Sequence, residues 1–212
     1  MGIQWGTAAE LASLVQRPLV DTVTCNLLLS QAADLVRAEC NQNIDIVTTT
    51  EVLDGPRSAT YMEPDPADAV VFLNEKPVIS VTSVTELQVA NGMTTLVQGT
   101  DFILGNGGRI YRIKSSSASS YSYYPWTVNK QGITVIYSHG YATTTWQYNT
   151  AKQISLQMAG RAYVNPEGLH QMRVGGYAAR YFGTTTPITG MLQMTPFEKL
   201  MLAPLRANTL TA

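Results

Sequence analysis

The chain has 212 residues, enough for one sizeable core or a core with a smaller satellite. Its charged fraction is 14%, well under the roughly 25% usual in soluble domains, so Ser, Thr, Asn, Gln, Gly and Tyr must fill surface positions. With 14 basic and 15 acidic residues spread along the chain, and a formal net charge of -1, it has no basic stripe for gripping nucleic acid. No run of about 18 apolar residues offers a membrane span, and the opening MGIQWGTAAE lacks a secretory n-region and, with Gly6 at the critical position, a myristoylation pattern. Sparse charge suits flanks covered by identical neighbours, because charge is depleted at interface cores.

Thr7 and Glu10 spell a capping box that opens a short helix to about Gln16, with Pro18 helping to stop it. Asp21 then caps a second helix running to about Cys40. Val23, Leu27, Leu28, Leu35 and Val36 form its expected apolar stripe. Cys25 and Cys40, the only cysteines, would stand about 22 Å apart on that helix, too far to bridge, so both are expected reduced.

From Ile44 to Tyr141 the periodicity is mostly two. Ile44 and Ile46 alternate with Asp45 ahead of a turn at Asp54-Gly55, and Val70 to Leu73 is a short apolar run. In KPVISVTSV, Val78, Val81 and Val84 recur every third residue, which a flat strand cannot bury on one face; a β-bulge near Thr82 or Ser83 is expected. Asn91-Gly92 and Asn106-Gly107 supply the positive φ of tight hairpin turns, making an antiparallel sheet the expected arrangement. Ser115 to Trp126 is Ser-rich and reads as a loop insertion, with Tyr121, Tyr123, Tyr124 and Trp126 either resting on their own sheet or meeting a neighbour. Ile133, Val135 and Tyr137 then mark one face of a central strand that Gly140 ends.

A helix beginning near Thr145 or Asn149 presents Ala151, Ile154, Met158 and Ala162 on one face and ends before Asn165-Pro166. Arg173 to Gly190 reads as an extended Gly-rich connector. Thr195, Pro196 and Glu198 make a second capping box with Pro at N1, opening a short helix through Phe197, Leu200, Met201 and Leu202 that Pro204 cuts. The last residues, to Ala212, read as a tail ordered on contact. The fold class expected is α+β, a helical bundle built from the N- and C-terminal helices with an inserted antiparallel β region. Its segments are 1–43, 44–144 and 145–212, the first and last packing together.

Catalytic signatures are missing from the sequence: it has no H-E-x-x-H, C-x-x-C, G-x-S-x-G or Walker A pattern. His139 and His170 read as satisfied or solvent-facing residues, since nothing near either in sequence offers a nucleophile or an orienting acid. Glu63, Asp65 and Asp68 read as a solvated loop lacking calcium-loop spacing, and Gly175-Gly176 lacks the preceding strand of a phosphate loop. No enzyme activity, metal or cofactor is expected.

Taken in order, the landmarks LNEKPVISVTSV (Leu73 to Val84), ITVIYSHGY (Ile133 to Tyr141), GGYAARYFG (Gly175 to Gly183) and TPFEKLMLAPLR (Thr195 to Arg206) resemble those of the head-to-tail connector (adaptor) proteins of long-tailed bacteriophages. The resemblance covers most of the chain. It implies a virion structural protein made in the host cytoplasm and placed in the neck, forming a ring, commonly of twelve subunits. The ring would dock on the portal and link it to a stopper or tail-terminator protein around a channel that DNA crosses without sequence-specific binding. By that similarity Gly175, Gly176, Tyr177, Tyr181, Phe182, Pro204, Leu205 and Arg206 are candidate portal contacts, and Tyr121, Tyr123, Tyr124 and Trp126 candidate tail-side or neighbour contacts. A ring fits the residues physically, because each heterologous interface covers two different faces of one chain. The rival readings are a β-rich carbohydrate-binding or adhesion module stacking sugars on the loop aromatics, and a hydrolase built on His139.

Overall fold

The computed structural model describes residues 4–16, 18, 21–56, 69–88, 92–117, 120–166, 171–174, 177–180 and 192–207, with the backbone alone described for 115–117, 120–121, 171–174 and 177–180. The chain divides into two compact units, a helical one from Met1–Ile44 and Thr143–Arg206 and a β unit built on Asp45–Ala142. Glu63, Asp65, Asp68, His170, Gly175, Gly176, Tyr181 and Phe182 lie outside the described residues.

In the helical unit, α1 (Ala8–Val15) starts at the expected capping box: Thr7 Oγ1 accepts from the Glu10 amide at 3.2 Å, and Glu10 Oε2 accepts from the Thr7 amide at 2.9 Å. Asp21 caps α2 (Thr22–Cys40) by accepting from the amides of Val23 and Thr24, and Asn41 ends it in the left-handed conformation. The face α2 buries is Cys25, Leu29, Ala32, Ala33, Val36 and Cys40, not the expected stripe; of that stripe only Val36 is buried, while Val23, Leu27 and Leu35 are exposed. The reason is steric, since the small residues on the buried side let helices approach closely. α3 (Trp146–Val164) answers with its own small face, Ala151, Ile154, Ser155, Met158, Ala159, Gly160 and Ala162, including all four residues expected to be buried.

The second capping box opens α4 (Pro196–Leu202), which passes into a 3-10 turn at Ala203–Leu205. Arg161 of α3 reaches both oxygens of the almost fully buried Glu198, at 2.7 and 2.9 Å, in a two-pronged pair that fixes α4 against α3. One carboxylate thus serves as helix cap and inter-helix anchor. Between α3 and α4, β9 (Gln171–Val174) and β10 (Tyr177–Arg180) pair antiparallel, so part of the expected extended connector is a hairpin.

The β unit holds two sheets. One has the order β1-β8-β3-β4, from β1 (Val47–Leu53), β8 (Ile133–His139), β3 (Val78–Gln88) and β4 (Gly92–Leu96), with every neighbouring pair antiparallel. β2 (Val70–Phe72), β6 (Arg109–Ser117) and β5 (Phe102–Gly105) form the second in the order β2-β6-β5, with β7 (Ser120–Tyr123) pairing the far end of β6. Ile44 and Ile46 precede the first strand rather than belonging to it. The expected bulge is present: β3 slips against β8 between Val78 and Ser80 and again between Val81 and Ser83. Each slip moves the next valine back to the inner face, which answers the three-residue spacing. Val84, Ile133, Val135, Tyr137 and Leu96 of the first sheet close on Val71, Phe102 and Ile110 of the second, and Trp126 fills the same core.

Gly107 and Gly108, both at positive φ, turn β5 into β6. Gly140 is held more tightly: at φ +112 a Cβ there would stand 2.1 Å from the Asp45 carbonyl oxygen, so the close approach of the two ends of the β unit requires glycine.

Candidate functional site

Several large apolar side chains of the helical unit face solvent beside exposed charges such as Asp34 and Lys199. Val23, Leu27 and Leu35 share one side of α2 at multiples of four residues, and Val23 is 77% exposed. On α4, Glu198 and Leu202 point inward, which turns Phe197 and Leu200 outward at 68% and 69% exposure. Trp146 at the start of α3 and Leu14 on α1 are exposed as well. Leu14, Val15, Gly160, Arg161 and Val164 line a groove of about 390 Å³. Each of these side chains leaves apolar area in water that a contact would remove.

Several sequence-derived contact candidates take other roles. Leu205 is fully buried, and its carbonyl accepts from the Gln42 side chain at 2.5 Å. Pro204 is exposed, and Arg206 is exposed while paired with Glu39, which Lys199 also approaches at 3.4 Å. Tyr177 lies on β10. In the β unit the expected loop insertion is instead the β6–β7 hairpin.

Trp126 is a core residue, 1% exposed, donating from Nε1 to the Ala69 carbonyl at 3.0 Å, and offers no face to a partner or sugar. Tyr123 and Tyr124 are exposed, but Tyr123 packs 6.1 Å from the Tyr111 ring and the Arg112 guanidinium covers Tyr124 at 5.3 Å. The aromatic platform needed by the sugar-binding reading is therefore partly enclosed.

Two polar constellations escaped sequence reasoning. Glu86 of β3 and Arg112 of β6, both almost fully buried, meet at 3.2 Å and join the two sheets. Arg112 also donates to the carbonyls of Asp101 and Ile113, and Glu86 accepts from the Thr127 amide at 2.7 Å. The signal was readable: Glu86 falls two residues after Val84, on the core side of an alternating strand.

The second centres on His139, which has no exposed surface. Its Nε2 stands 2.9 Å from the Thr49 hydroxyl, and its Nδ1 faces the Glu75 carboxylate at 3.5 Å without a hydrogen bond. Beside it the Tyr137 hydroxyl donates to Glu51 at 2.7 Å and accepts from the Glu75 amide. Burial holds the His139 imidazole below its ordinary pKa, against the opposing pull of Glu75 and Glu51, and burial together with the bond to Glu51 pushes the Tyr137 phenol up. Hydroxyl, imidazole and carboxylate do stand in a row, so the acid that sequence proximity denied His139 is supplied by the fold. With the ring enclosed, the row ties β1, β8 and the 74–77 segment together.

No group of three or more metal-capable side chains occurs among the described residues, and none of their helices is long and apolar enough to cross a membrane.

No family model matches the chain, and no curated protein matches it. Among solved structures it is similar to a chain from the neck of an empty gene transfer agent particle computed with C6 symmetry, at 14% identity and a TM-score of 0.47, covering 82% of each chain. It is also similar to a chain from the virion of a native gene transfer agent particle, at 14% identity and a TM-score of 0.44, covering 85% of this chain and 89% of that one.

Proposed function

We propose that the chain is a virion structural protein of the neck, a connector whose copies form a ring that docks on the portal and links it to the stopper or tail-terminator protein around the DNA channel. It works by adhesion and shape and converts no substrate. The observation that carries this reading is that Val23, Trp146, Phe197 and Leu200 are each more than half exposed, apolar area that contact with a neighbour would take out of water. The ordered motifs shared with phage connectors support it from the sequence. The near-neutral charge is compatible with DNA moving past without being gripped.

The test is Phe197→Ser combined with Leu200→Ser. Both side chains are mostly in solvent, so the double variant should keep its helical circular dichroism and thermal midpoint while losing rings in negative stain, alone or mixed with portal. Unchanged assembly, or a wild-type chain that stays monomeric with and without portal, would end the reading. Truncation to probe portal binding belongs after Arg206, because cutting at Pro204 would also remove buried Leu205 and the Arg206–Glu39 pair.

A further inference from the structure

The first sheet of the β unit ends in two strands that are each paired on one side only. Among the described residues β1 pairs with β8 and β4 with β3, and no further strand lies beyond either. Natural sheets blunt such edges with Lys, Pro, a bulge or a very short strand. β1, VTTTEVL, has none of these: its register with β8 is unbroken from Val47↔His139 to Leu53↔Ile133. Its one charge, Glu51, is taken up by Tyr137 and Asn74. β4, GMTTL, is uncharged and free of Pro.

Strand direction says what fits there. All three pairings in the order β1-β8-β3-β4 are antiparallel, so the two edges of this even-stranded sheet run in opposite directions. A second copy set alongside in the same orientation brings its β4 antiparallel to β1 of the first, and the alternation continues unbroken across the boundary. Pairing β1 with β1 would leave both β4 edges uncovered, whereas head-to-tail repetition covers every edge it reaches.

The faces restrict the register. Thr49, Glu51 and Leu53 lie opposite Tyr137, Val135 and Ile133 on the core side, which puts Thr48, Thr50 and Val52 on the other face. Leu96 lies opposite buried Val84, so Met93 and Thr95 share that outer face. In a continuous sheet the even-numbered residues of β1 must meet odd-numbered residues of β4.

We propose that β4 of one copy adds as a strand to β1 of the next, making a head-to-tail seam between copies of this chain. This deepens the ring reading and rests on it, naming backbone pairing at the β units as one of the joints.

Cysteine cross-linking tests it. Cys25 and Cys40 are buried, and within one copy β1 and β4 are separated by two strands, about 14 Å at the usual strand spacing, so engineered thiols on the two edges can bridge only between copies. Thr50→Cys with Thr95→Cys, or with Met93→Cys for the adjacent register, should give a ladder of covalent multimers on a non-reducing gel after mild oxidation. Thr50→Cys with Thr94→Cys should give none, because Thr94 lies on the opposite face. Rings by native mass spectrometry with no ladder from either same-face pair would overturn the seam and leave the ring reading standing. Covalent dimers from Thr50→Cys alone would overturn it in favour of β1–β1 pairing, and a monomer at every concentration would overturn both.

Discussion

Removing the Glu86 carboxylate should be the costliest polar substitution in the β unit. Glu86→Ala leaves the Arg112 guanidinium, 7% exposed as a side chain, without its buried counter-ion, and leaves the Thr127 amide without its acceptor. Breaking a buried pair on one side costs about 3–5 kcal/mol, and an orphaned buried donor about 1–3 kcal/mol. These overlap, because Arg112 keeps the Asp101 and Ile113 carbonyls and has the Asp101 carboxylate 3.7 Å away. A net loss of about 3–4 kcal/mol is expected. The assay is urea unfolding read by hydrogen exchange of peptides from β3 and β6, which isolates this unit from the helices. Replacing both partners, as Glu86→Leu with Arg112→Met, should cost clearly less than Glu86→Ala, because no charge is then stranded. A single-variant loss under about 1 kcal/mol, or a double variant worse than the single, would refute the claim that the pair is buried and mutually dependent.

His139 should make the β unit acid-sensitive. Its folded-state pKa lies below the ordinary 6.5, so the neutral form's contribution is complete above that value and is lost as pH falls from it toward the depressed folded pKa. The slope should reach at most about 1.4 kcal/mol per pH unit. In His139→Gln this part of the pH profile should flatten; a profile unchanged between pH 7.5 and 5 would show that His139 is not the group responsible. The cysteines should be silent in the folded protein: burial pushes the Cys40 thiol up to about 12, with Glu39 adding to it, and burial raises Cys25 as well. Ellman's reagent at pH 8 should label neither until urea is added, and rapid labelling without denaturant would contradict the packing of α2.

Much of the local structure was legible because the signals were local. Both capping boxes, the Asp21 cap, the buried face of α3 and the glycine turn between β5 and β6 follow from residues within one helical turn or one hairpin. The bulge in β3 was legible because valines three apart leave a strand few other ways to bury them.

The α2 stripe misled because large apolar residues are the usual guide to burial, and here the helix contact selects small ones, leaving leucines outside. Of the two readings open for Trp126, rest on its own sheet or contact with a neighbour, the first holds, and its Ser- and Tyr-rich surroundings could not choose between them because the decision was made by Ala69, distant in sequence, whose carbonyl accepts its indole N–H. The His139 row and the Glu86–Arg112 pair were only half visible. Each depends on a partner that the fold brings in from another strand or loop, and strand alternation identifies an inward charge without naming what answers it.

The β unit interrupts the helical one, placing a long excursion of chain between helices that must meet. Strand pairing removes most of that delay. Val47 and His139 are opposite one another, and Gly140 lies tight against the Asp45 backbone, so the insert fastens its own two ends together. Once that has happened, the entropic distance between Ile44 and Thr143 is that of a brief link. An order of events follows for a chain emerging from the ribosome: the inserted unit can complete itself first and then deliver α3 to an α2 synthesised long before.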